Sequence, residues 1–81
     1  MEHMVQQFRD ALVALDRLAA ERIFNHANEL MSPIEAIESV VVPALAQVGD
    51  GWQAGQVALS QVYMSGRFCE EMVERVLPPC D

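Results

Sequence analysis

At 81 residues the chain is one domain with a thin core, since a domain of this size buries roughly 60–65% of the surface its unfolded form exposes. Apolar residues make up 52% of the sequence and aromatics only 6%, so the core is aliphatic and suits closely packed helices better than a ligand-sized internal cavity. Twelve acids against five arginines and no lysine give a formal charge of −7, which argues against a nucleic-acid surface, because phosphate contacts need clustered cations.

No membrane segment is expected, because the longest apolar runs, such as residues 40–46, fall far short of a span. The N-terminus lacks the basic region and apolar stretch of a signal peptide, so a cytoplasmic protein is expected. Cys69 and Cys80 form no Cys-x-x-Cys unit, and in a reducing compartment they are most simply free thiols.

Four helical segments follow one another, with breaks expected near residues 15–16, 31–32 and 53–60. The first places Val5, Phe8, Leu12 and Leu15 on one face, with Gln6, Gln7, Arg9 and Asp10 turned away. Asp16 is suited to cap the second, whose stripe is Ala20, Ile23, Phe24, Ala27 and Leu30. Ser32-Pro33-Ile34-Glu35 is a capping box with proline at the first helical position, and it opens the third. That helix continues a face through Ile34, Ile37, Val41, Leu45, Val48 and Trp52. Pro43 lies inside it and cannot donate to the carbonyl of Ser39, so a bend is expected there without a break. Gly49, Asp50-Gly51 and Gly55 bring the helix to its end. Residues 56–59 read as an extended link, with Ser60 as cap of the last helix. This runs through Val62, Gly66, Cys69, Met72, Val73 and Val76 until Pro78-Pro79 stops it. Short connections favour an all-α fold, an antiparallel four-helix bundle.

Catalytic chemistry is not expected. His3 and His26 stand at no metal-ligand spacing from each other or from a cysteine, and no Glu-x-x-His unit is present. Glu35/Glu38 and Glu70-Glu71 read as solvated helix faces. Ser60, Ser65 and Cys69 lack a recognisable base and orienting acid.

Residues 42–55 are less generic. A bundle core explains Leu45 and Val48, but not a tryptophan set between glycines at a helix end. Trp52, the one tryptophan, is followed by Leu59, Val62 and Tyr63 at the start of the next helix. Either Trp52 plugs the end of the bundle, or these residues form an apolar patch there.

Val-Pro-x-Leu-x-x-Val-Gly-x-x-Trp-x-x-Gly, followed by Leu-x-Gln-x-x-x-Ser-x-Arg, resembles the helical cap module of cobalamin-dependent methionine synthase. It is also similar to the corrinoid proteins of methanol- and methylamine-type methyltransferase systems. The likeness runs from about Phe8 to Val76 and is strongest over residues 42–67. In that family the cap precedes a Rossmann-like cobalamin domain and covers the methyl-bearing face of the corrin.

The resemblance implies that Trp52 lies against the upper face of the cofactor, with Leu59 and Val62 closing over the methyl group and Tyr63 beside them. Light-sensing cobalamin regulators carry a Glu-His pair where this chain has Val62-Tyr63, which counts against that branch. Ser60 replaces a proline common in the family. The cobalt-ligating Asp-x-His-x-x-Gly motif of the following domain is absent from these 81 residues. The expectation is therefore a single non-catalytic cap domain over 1–81. It would meet methylcobalamin only together with a separate cobalamin-binding domain and would hold none tightly alone. Corrinoid methyltransferase subunits are its expected partners, and self-association through the open patch stays a possibility. A helical interaction domain unrelated to cobalamin and a cobalamin-dependent sensor module are the alternatives.

Overall fold

The computed structural model describes residues 2–77, and among these all regular structure is helical. Helix α1 (Glu2–Val13) and α2 (Arg17–Leu30) are followed by a long rod over residues 33–53. That rod joins α3 (Pro33–Ala36), a π-helical turn (Ile37–Val41) and α4 (Val42–Gln53) without interruption. Helix α5 (Leu59–Val76) completes four rods.

The first boundaries are set locally. Leu15 adopts φ of +57°, in the left-handed region, and its N–H donates to the Leu12 carbonyl at 3.0 Å while that of Asp16 donates to Ala11 at 2.9 Å. This crossed pair is a Schellman ending with leucine where glycine is usual. Leu15 therefore lies beyond the helix and is 43% exposed, contrary to its expected place on the buried stripe. Asp16 then caps α2, its Oδ1 accepting from the Ala19 N–H at 3.1 Å. The Ser32/Glu35 capping box is formed in both directions, at 3.2 and 3.4 Å. At the other end Leu77 is extended, as the residue before Pro78 prefers. The expected stop at Pro78-Pro79, and Cys80, lie outside the described residues.

Pro43 does not break the third rod. The chain answers with the π turn, in which the Val42 N–H reaches back five residues to the Ile37 carbonyl. The extra residue widens the helix ahead of the proline ring, where an ordinary turn would press against the carbonyl four residues earlier. It also rotates the buried face. Ala36, Val40, Val41, Ala44 and Val48 point inward, while Ile34, expected there, is exposed.

The core is built on Phe8, Leu12, Phe24, Val40, Val48 and Met72, with Ala20, Ala27, Ala36 and Ala44 where the backbones come close. Polar contacts fix the relative sense of the rods. Gln61 reaches Val13 and Ser65 reaches Leu12, so the first turns of α5 lie against the end of α1. Arg17 pairs with Glu71 and Glu21 with Arg75, four residues further along each helix, so α2 and α5 run alongside in the same sense. The hydrogen bond from Arg75 holds the Glu21 carboxyl below the usual range, with Arg17 adding to it. Such exposed pairs contribute little to stability.

Candidate functional site

The link between α4 and α5 is a tight turn, not the expected extended segment. Gly55 takes φ of +79°, which a side chain would strain. Its N–H donates to the Trp52 carbonyl at 3.0 Å, and that of Gln56 to Gly51 at 2.8 Å, a second Schellman ending. The Gly51 carbonyl also accepts from the Val57 N–H at 3.2 Å. Val57 folds back so closely that a Cβ on Gly51 would stand 2.6 Å from its Cγ2.

Helix α5 begins at Leu59, one residue before the expected cap. Ser60 is already helical and caps nothing. The cap position belongs to Ala58, which has no side-chain acceptor; Gln61 makes only the return bond of a capping box, its Oε1 accepting from the Ala58 N–H at 2.7 Å, while its own backbone N–H donates to the Ala58 carbonyl at 3.0 Å. The other end of the same amide, Nε2, donates to the Val13 carbonyl at 2.9 Å. One turn on, the buried Ser65 hydroxyl donates to the Leu12 carbonyl at 3.4 Å.

Around this scaffold sit the four residues singled out from the sequence. Trp52 continues the inward line Ala44–Val48 but lies in the last turn of α4, past the end of the core, and stays 47% exposed. Leu59 and Tyr63, 64% and 63% exposed, are four apart on α5 and therefore adjacent on its outer face. Val62 is half-buried against the core. The turn thus presents three apolar residues to solvent and roots the fourth in the bundle.

A separate groove between α1 and the turn is lined by Arg9, Asp10, Val13, Gln47, Asp50 and Val57 among others, and it includes none of these four. Its lining is more apolar than polar, and Arg9 at its edge is already engaged by Asp10 and by Gln47 at 2.8 Å. Cys69 is buried and free, and burial pushes its thiol up to about 12, so it is inert as a nucleophile. His26 is exposed, with Glu29 at 4.0 Å. Among the described residues no group of three or more His, Cys, Asp or Glu side chains is placed to hold a metal ion, and no helix is long and apolar enough to cross a membrane.

The sequence reading gives Gln61 no role and weighs Ser65 only as a nucleophile, although they are the Gln and Ser of Leu-x-Gln-x-x-x-Ser-x-Arg. Their signal was present: two polar residues four apart fall on the inner side of an otherwise apolar stripe, where each needs a partner. The partners, carbonyls some fifty positions away in the chain, were not visible.

No curated protein and no solved structure matches the chain. The B12 binding domain family does, over residues 4–77, nearly all of the described structure and including every residue of the turn. An all-helical module with an apolar residue set at one end, matched over this length, is a member of the B12 binding domain family, the helical caps associated with cobalamin.

Proposed function

We propose that this chain is the cap of a corrinoid protein and that Trp52, Leu59, Val62 and Tyr63 form the face that covers the upper side of methylcobalamin. The observation that carries this reading is the exposure of Trp52, Leu59 and Tyr63 around a turn whose backbone is closely fixed, within a family match that spans the turn. These residues fit a planar, largely apolar surface. They offer no ligand set for cobalt, so the cobalamin-binding domain would hold the cofactor. The antiparallel bundle belongs to the same reading and is supported by the start of α5 lying against the end of α1.

When bound, the cobalamin supplies a methyl group on a cobalt–carbon bond. The chain excludes water from it. Trp52 and Leu59 would lie over the ring, Val62 would set the depth of closure from the core side, and Tyr63 would extend the apolar cover with its hydroxyl toward solvent. Covering these side chains at about 25 cal/mol per Å² contributes on the order of a few kcal/mol, enough to favour closure and small enough for a methyltransferase subunit to displace the cap.

Trp52 reports on this directly. Mixed with a cobalamin-binding domain loaded with methylcobalamin, the chain should lose Trp52 fluorescence as the ring comes against the corrin. Replacing methylcobalamin by the empty domain should abolish most of that loss. Equal quenching by the empty domain would instead favour a protein-interaction module that ignores the cofactor.

A further inference from the structure

Gln61 lies between two residues of the proposed covering face and belongs to neither the core nor that face. Both ends of its amide are used: Oε1 accepts from the Ala58 N–H at 2.7 Å, and Nε2 donates to the Val13 carbonyl at 2.9 Å. The first bond satisfies the N–H of Ala58, the residue before α5, and holds the chain where it enters the helix at Leu59. The second satisfies a carbonyl left open in the last turn of α1, just before the left-handed Leu15. The two bonds tie the end of the turn to a different helix. Ser65, buried on the same side, repeats the grip one turn further on. On the α4 side, the turn is held by Gly51 and Gly55.

The geometry points to Gln61 as the positioning residue of the covering face: it sets the first turn of α5, and with it Leu59 and Val62, against the end of α1. This deepens the proposed cap function and rests on that reading for its ligand, but not for its geometry. A side chain that only filled space would need neither end of an amide. One that only capped α5 would need the acceptor alone. Gln61 uses both, so the face is registered to α1 as well as to α4.

The test compares the full chain with Q61M, which keeps the length and loses both bonds, and Q61E, which keeps the acceptor and loses the donor. Hydrogen exchange of the amides of Gln61, Val62 and Tyr63 is followed beside that of Phe24 and Val48. In Q61M the α5 amides should open roughly tenfold more often, the effect of one to two net hydrogen bonds, with a much smaller change at Phe24 and Val48. Q61E keeps the acceptor for the Ala58 N–H but sets a carboxylate oxygen against the Val13 carbonyl, so the α5 amides should open at least as often as in Q61M. Millimolar methylcobalamin should shift the Leu59 and Val62 methyl resonances of the parent chain, and less so in Q61M, while its effect on Trp52 persists. Equal acceleration at all five amides, or none, overturns the positioning role. The cofactor reading stands or falls with the loaded cobalamin-binding domain, whereas the exchange comparison decides Gln61 on the chain alone. Should Q61M not fold, Q61E against the parent carries the same comparison.

Discussion

The middle of the bundle and its turn end use aromatic residues in opposite ways. Phe8 and Phe24 are enclosed by four rods, and small alanines beside them let the backbones close in. Trp52 lies on the same inward line as Ala44 and Val48, but the bundle ends before it is covered. The interior gets its stability from burial, while the turn fixes its backbone by hydrogen bonds and a close glycine contact and leaves its apolar side chains open. Under the proposed cap function, a closely fixed backbone beneath uncovered apolar groups suits a surface that a partner covers.

That contrast can be broken by substitution. Phe24→Ala should cost the most, about 3–5 kcal/mol in urea unfolding, as for a large side chain removed from a closed core. Gly51→Ala comes next, at about 1–3 kcal/mol, since the new methyl group meets Val57 and forces the turn to shift. Val57→Ala on the same background should recover part of that loss, and strict additivity of the two changes would mean the close approach is not what fixes the turn. Trp52→Ala should cost only about 1–2 kcal/mol, because half its surface is already in water. A loss equal to that of Phe24→Ala would make it a plug.

The smallest effect belongs to the Arg17–Glu21–Arg75 group on the far surface. The Glu21 pKa is lowered in the folded chain, so its contribution is present above the usual carboxylate range and fades as the pH falls through the folded value. The stability difference between the parent chain and Glu21→Gln should therefore shrink on acidification, and 1 M salt should shrink it as well. A difference that grows in acid would contradict the assigned direction.

Features governed by neighbouring residues were legible in the sequence. Asp16 and the Ser32/Glu35 box cap their helices as their spacing requires, and four rods follow from four apolar stripes. What failed depends on contacts from afar or on how a turn closes. Leu15 and Ile34 satisfy helical spacing but fall outside the core, one past a left-handed ending and the other ahead of the π turn that rotates the rod. Ser60 has the residue type of a cap, whereas the turn closes two residues earlier, at Ala58, whose N–H Gln61 accepts. For the site, the sequence located the helix end and its apolar residues. It did not show that Val62 is held by the core while Leu59 and Tyr63 stand free, since that depends on how α5 is rotated against α1.

The proposed role of the turn is to cover a cofactor. The most direct test joins this chain to a cobalamin-binding domain and measures photolysis of the methyl–cobalt bond beside the unfolding free energy, for the parent and for Trp52→Ala, Leu59→Ala and Val62→Ala. The account predicts faster photolysis in all three, with Trp52→Ala and Leu59→Ala losing far less stability than Phe24→Ala. Unchanged photolysis together with a loss at Trp52 as large as that at Phe24 would contradict it and make Trp52 an ordinary part of the core.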